Sequence, residues 1–283
     1  MTVTATTPAT GPTPPLAPTV QRSGVAFRAL LLRDLTVLRK NLKEFIPRTL
    51  LQPLLLVFVF TYVFPKIGQG IGGIRGDAAG TFSTLLTAGV IAVAILLQGI
   101  RAVALPLVQE FGYTKEIEDR VLAPLAIELV ALEKVVAAAL QCMLAAALVF
   151  PIAAIVPATP VHLQINWLIL LTLGPLACVM AAAVGLTFGT IFEPRTVPLL
   201  FGVIIVPITF LGCVYYSWSA LAPIRWLQVA VLLNPLVYIS EGFRAALTNS
   251  HHMNLAAIYA VVIGFTTLFL WRGISGFKKR VLS

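Results

Sequence analysis

Charge is scarce in this chain. Only 11% of its 283 residues are Asp, Glu, Lys or Arg, while 59% are hydrophobic and the mean hydropathy is +0.95. A soluble domain carries about a quarter charged residues, so a soluble enzyme, a disordered regulator and a secreted disulfide scaffold are all excluded. The solvent for such a chain is a bilayer. Cysteine is scarce too. Cys142, Cys178 and Cys213 each sit in an apolar stretch, with no C-x-x-C pair among them, and read as small buried hydrophobes. No G-x-x-x-x-G-K-[ST] occurs, which excludes a P-loop in this sequence. Gly68-x-Gly70-x-x-Gly73 matches a dinucleotide fingerprint only formally, because no βαβ unit surrounds it. His162, His251 and His252 have no Cys or Asp at ligand spacing, so no catalytic or metal-binding constellation emerges. Ionisable residues are also missing from the middle of the apolar runs, with Glu128 and Glu133 at the approach to one of them. That absence argues against a proton relay and against a membrane-embedded lipid transferase.

What is present is a series of charge-free runs, at 49–65, 78–100, 135–157, 163–192, 196–224 and 253–271. A helix crosses the hydrocarbon with about 17–25 apolar residues, so the expectation is an all-α integral membrane protein with six spans. Their bounds are set near 49–65, 78–104, 129–157, 163–191, 196–216 and 253–272. A seventh apolar stretch, 226–240, is shorter and contains Asn234-Pro235. Proline removes a helical hydrogen bond and disfavours helix just before itself. The stretch therefore reads as two half-helices of a re-entrant external hairpin, 217–247, ahead of the last span.

The net charge of +9 then acquires a direction. With six spans, sixteen of the twenty basic residues fall on one side, and Lys66, Arg75, Arg225 and Arg244 on the other. The basic side is cytoplasmic. Both termini are expected in the cytoplasm, and the charge implies no nucleic-acid partner. Residues 1–21 are proline-rich and nearly uncharged, without the pattern of a cleaved signal, and are expected to be a disordered cytoplasmic tail. Residues 273–283 form a basic cytoplasmic tail. Trp167, Trp218 and Trp226 fall near outer interfaces and Trp271 near the inner one.

Two segments are patterned beyond spanning. Within 22–48, Phe27, Leu31, Leu35, Leu38 and Leu42 form an apolar stripe roughly 80° wide opposite Arg22, Arg33, Lys40 and Lys43. Such a helix lies in the headgroup plane and contacts anionic lipid, with Pro47 expected to turn the chain into the first span. The segment 109–121 is acidic, with Glu110, Glu116, Glu118 and Asp119 against Lys115 and Arg120. An anionic leaflet repels it, so it reads either as a solvated loop or as a docking helix for a cytoplasmic protein. Gly185-x-x-x-Gly189 permits close approach of two helices.

In this order of parts the chain resembles the permease subunits of type-2 ABC exporters, the group that includes daunorubicin-resistance and polysaccharide-export permeases. The resemblance runs from residue 24 onward and is densest in EFGYTKEIEDRVLAPL (110–125) and LLNPLVYISEGFRAAL (232–247). It implies a non-catalytic subunit that pairs with a second permease chain, identical or different, and with a separate ATP-binding subunit. ATP and Mg would be held on that partner and no cofactor on this chain. By the same resemblance, Tyr113, Lys115, Glu116, Glu118, Asp119 and Arg120 dock the ATPase. Phe210, Tyr215 and Tyr216 are substrate-path candidates, although the two tyrosines read more readily as an interfacial aromatic belt. Asn234, Pro235, Glu241 and Arg244 belong to an external gate, in which Glu241 and Arg244 either hold the lid shut or form a surface ion pair of small energy. The expected substrate is amphipathic or lipid-linked: a drug, a lipid or a glycan. An ATPase-independent secondary transporter or channel is the alternative.

Overall fold

The computed structural model describes residues 19–67, 77–114, 126–157, 163–193, 196, 200–248 and 250–282. These residues are helical with no strand among them. Five helices are long and apolar enough to cross a membrane: Leu42–Val63, Phe82–Gly112, Ile127–Ile155, Trp167–Ile191 and Leu255–Leu282.

Helix α1, Thr19–Lys40, carries the amphipathic stripe. Phe27, Leu31, Leu35 and Leu38 are half-buried, whereas Arg28, Arg33, Arg39 and Lys40 are exposed. The stripe thus has a protein partner along part of its length, since Phe27 and Leu30 pack on the core and α1 lies against α4 (Ile127–Ile155). The chain turns at Asn41 and not at Pro47. Asn41 sits near the bridge region, φ −99° and ψ 15°. Its N–H donates to Val37 O at 3.0 Å, and its carbonyl accepts from Phe45 N at 2.9 Å, so one residue closes α1 and opens α2. Helix α2, Leu42–Val57, accommodates Pro47 on its exposed side and widens into a π-helical stretch, Phe58–Val63.

Helix α3, Asp77–Gln109, is the centre of the bundle. Of its best apolar window, 78% is buried, against 17% for α9, Leu255–Leu282. A helix that is apolar all round is an interior helix. It packs most extensively on α5, Trp167–Ile191, and next on α4. The α3–α5 contact is a backbone approach. A Cβ on Gly99 would meet the Ala181 carbonyl carbon at 2.5 Å, and one on Gly185 would meet Gly99 O at 2.5 Å. The small-residue spacing seen at Gly185 and Gly189 therefore serves packing. Gly99→Val should lower the thermal midpoint of the detergent-solubilised chain sharply, because backbone cannot yield as a side chain does, and ordinary overpacking alone costs about 1–3 kcal/mol. Gly264→Ala, where nothing lies within 4 Å, should leave the midpoint unchanged or raise it.

Buried hydroxyls are satisfied internally, as a medium without water demands. Thr61, Thr87, Thr187 and Thr266 donate to carbonyls one turn back. Thr187 also lies 2.8 Å from Phe269 O, and Thr87 3.1 Å from Ala153 O, which ties neighbouring helices together. Leu51, Leu55, Phe58, Leu168, Leu171, Phe210 and Ile263 face outward. Apolar exposure on that scale suits lipid rather than water.

The fifth expected span is described only in part. A π-helical segment, Leu200–Ile205, runs into a short α6, Val206–Phe210, and the chain leaves the helix at Leu211, short of residue 216. Eleven helical residues cover about 16 Å, roughly half the hydrocarbon. The last helix differs in the opposite sense: α9 continues unbroken to Leu282, so the basic tail is helical. Lys279 and Arg280 stand in its last turn, where the helix dipole favours cations.

Candidate functional site

The sequence around Asn234 dictates a break, and the chain breaks there. Helix α7, Arg225–Ala230, tightens into a 3-10 turn, Val231–Leu233, and α8, Pro235–Leu247, begins anew. Asn234 is a good N-cap and Pro235 a good first helical residue. The Asn234 side chain accepts from Leu236 N at 2.9 Å and donates to Ile208 O at 2.7 Å. The cap thereby fastens the hairpin to α6. Every residue of α8 is buried, against α3, α5 and α9. Its final carbonyls are satisfied by the strand-like lead into α5, with Asn166 N donating to Ala246 O at 2.7 Å and Gln164 N to Leu247 O at 3.0 Å.

Glu241 and Arg244 stand one turn apart on this buried helix and are paired, with exposures of 1% and 0%. Neither is a surface group, which removes the small-energy surface reading. The pair organises three chain segments. Glu241 Oε1 accepts from the Arg244 guanidinium and from Trp218 N at 2.8 Å, and Oε2 accepts from Met253 N at 3.1 Å. Arg244 Nη2 donates to Cys213 O at 2.9 Å and Tyr216 O at 3.3 Å. Cys213 has φ 52°, a left-handed conformation that a side chain rarely adopts. The guanidinium holds the carbonyl of that strained turn. One ion pair thus fixes the turn after α6, the start of the hairpin and the entry to α9.

Around the same turn, Phe210 and Tyr215 stack with centroids 5.8 Å apart, and Tyr216 donates its hydroxyl to Phe210 O at 3.2 Å. Phe60 completes the cluster, 5.5 Å from the Tyr215 ring. It comes from the π-helical stretch after α2, and no signal in the sequence pairs 60 with 215.

The other end of the bundle holds the root of the acidic segment. Helix α3 continues as a π-helical turn, Glu110–Thr114, which includes the Tyr113 backbone. Lys115, Glu116, Glu118, Asp119 and Arg120 lie outside the described residues. The root itself is anchored. Lys134 Nζ lies 2.8 Å from Glu110, both largely buried, and Glu133 beside it is fully buried. The Phe111 ring meets Phe277 edge-on at 5.6 Å and the Arg280 guanidinium at 4.8 Å. Arg280 also donates to Phe192 O at 3.0 Å, at the end of α5. Lys278 and Glu128 pair at 3.0 Å on the surface. The middles of the charge-free runs hold no ionisable group, yet both ends of the bundle bury some. Charges sit inside where a partner of opposite sign, or ordered backbone, receives them.

A helical bundle with five membrane-length helices among the described residues and a broken helix in its interior is that of a multi-pass membrane protein. Residues 25–248 match the family described as ABC-2 type transporter, and the chain belongs to that family. It is 24% identical over 226 residues to the inner membrane transport permease YadH of Escherichia coli (strain K12), covering 78% of this chain and 84% of that protein. The YadH of Shigella flexneri matches to the same extent.

Proposed function

We propose that this chain is the membrane-spanning subunit of an ATP-driven exporter in a bacterial plasma membrane. It has six spans, the fifth built around 196–216, and both termini in the cytoplasm. It pairs with a second permease chain and with a separate ATP-binding subunit that carries ATP and Mg. The observation that carries this reading is ABC-2 family membership across 25–248 in a sequence that lacks a nucleotide-binding loop of its own. The inner membrane permeases it resembles, named above, support the location.

In this reading the segment 109–121, with Tyr113, Lys115, Glu116, Glu118, Asp119 and Arg120, docks the ATPase and moves with it. Displacement enters α3 and α4 through the buried Glu110–Lys134 contact. The substrate, an amphipathic or lipid-linked drug, lipid or glycan, passes Phe210, Tyr215 and Tyr216 on its way outward. The hairpin 217–247 is the external gate, capped by Asn234 and Pro235 and bolted by Glu241 and Arg244. Since that bolt also holds the turn after α6, opening the hairpin and reshaping the aromatic cluster are one movement.

Proteoliposomes containing the chain with and without a co-expressed P-loop ATPase test the function. Export of a fluorescent amphiphile should require the ATPase, ATP and Mg, and should vanish when the ATPase's P-loop lysine is replaced. Transport by the permease chain alone would overturn the exporter reading in favour of a secondary transporter or channel.

A further inference from the structure

Arg101 stands apart from the charges already described. It lies within the apolar helix Phe82–Gly112, at the end of the charge-free run 78–100. Among the described residues no carboxylate pairs with it, and none pairs with Arg48 on α2. Arg101 Nη2 instead donates to Gln52 Oε1 at 2.9 Å, one turn on from Arg48 along α2. That bond aims the guanidinium while using one of its five N–H groups. Behind it the Thr49 hydroxyl and Gln98 Oε1 are 3.4 Å apart, a further polar step between α2 and α3. Arg48, Gln52 and Arg101 line an open groove of about 540 Å³ whose remaining walls are Leu51, Leu55 and Leu105. Leu51 and Leu55 are more than half exposed. Arg48 and Arg101 also border the neighbouring cavity toward α1, which holds Asp34, Glu44 and Glu110; none of these carboxylates lines the groove itself.

Two cations converging in a groove that no carboxylate lines, beside an exposed leucine wall, describe a ligand with both properties. The polar end must be anionic and rich in acceptors, for which arginine's fork geometry suits a phosphate. The rest must be hydrocarbon, or Leu51 and Leu55 would gain nothing. We propose that the α2–α3 groove binds an anionic phospholipid, with its phosphate between Arg48 and Arg101 and an acyl chain along Leu51 and Leu55. Arg48 is the exposed contact and Arg101 the oriented one. Placing this lipid in the inner leaflet rests on the topology proposed above; the chemistry of the site does not.

The test needs no transport. The full-length chain is placed in nanodiscs of phosphatidylcholine with a spin-labelled lipid tracer, either phosphatidylglycerol or phosphatidylcholine. Immobilised phosphatidylglycerol should exceed immobilised phosphatidylcholine. Selectivity should fall about fivefold in Arg48→Gln and about fivefold in Arg101→Gln, since each arginine near a lipid headgroup is worth roughly that factor. Arg225→Gln, at the exposed start of α7, should change nothing. Arg48 is exposed, so its variant reports on the site even if loss of Arg101 disturbs packing. Equal immobilisation of the two tracers would overturn the proposal, as would unchanged selectivity in both groove variants. Displacement of the labelled lipid by millimolar inorganic phosphate would also overturn it, because a free anion would then suffice.

Discussion

Glu241→Met should destabilise the protein more than Arg244→Met, and the double variant should recover part of the loss. Removing one member of a buried pair typically costs about 3–5 kcal/mol, because the other charge is left uncompensated. The two stranded groups are not equivalent. Arginine stays charged in any protein interior, so Glu241→Met leaves a permanent cation in a fully buried position. It also removes the acceptor for Trp218 N and Met253 N, which leaves two buried donors to find water. A lone carboxylate can be neutralised by a proton and would still accept from both backbone groups. The pair itself is imperfectly satisfied, since Arg244 Nε is buried with no acceptor among the described residues. Replacing both groups by apolar side chains of similar volume is therefore the mildest route. Its remaining cost lies in releasing the Cys213 turn, which Arg244 holds at its carbonyl. Thermal unfolding followed by tryptophan emission orders the three variants, and Trp218 sits beside the bolt as a local reporter. If Arg244→Met were the more damaging single change, the stranded-cation argument would be wrong. Under the proposed gate role, export should follow a different order: the double variant should fold yet pass substrate analogues without ATP.

Much of this architecture was legible in the residues because a membrane leaves few choices. Charge-free runs located the five membrane-length helices, and Asn234-Pro235 located the helix break ahead of α8. What the one-dimensional reading missed is which of the charges outside the apolar runs the fold buries. Arg101 is received by Gln52 of α2 and Glu110 by Lys134 of α4, neighbours remote in sequence. Glu241 and Arg244 stand one turn apart, so their pairing is legible in the sequence and only their burial is not. The turn at Asn41 was missed for a local reason. Proline looked like the obvious breaker, yet Pro47 sits on the exposed side of α2, where the helix tolerates the lost bond, while Asn41 takes the bridge conformation and shares its backbone groups between α1 and α2. The partnership of Phe60 with Tyr215 has no sequence signature at all. It depends on where the π-helical turn after α2 leaves the ring.

Reversing Glu116, Glu118 and Asp119 to lysine together should abolish co-purification of the ATP-binding subunit, a loss of at least a hundredfold in apparent affinity. Close charge pairs across interfaces couple by about 1.5–7 kcal/mol, and each 1.4 kcal/mol is a factor of ten. Three reversals turn attraction into repulsion, so even pairs at the weak end of that range suffice. The chain itself should be unharmed. The root of the segment is fixed by Glu110 with Lys134 and by Phe111 with Phe277, none of which is altered, so membrane insertion and the thermal midpoint of the isolated permease should match the parent. Raising salt should weaken the parent complex progressively, since exposed charges are screened over about 8 Å at physiological ionic strength. Lys134→Met supplies the contrast. It strands Glu110 inside the bundle and should lower the thermal midpoint while leaving the docking charges intact. A partner that co-purifies equally with parent and triple-reversed chains would show that the acidic segment is only a solvated loop. The coupling between ATP hydrolysis and the bundle would then have to enter through α1, which already packs against α4.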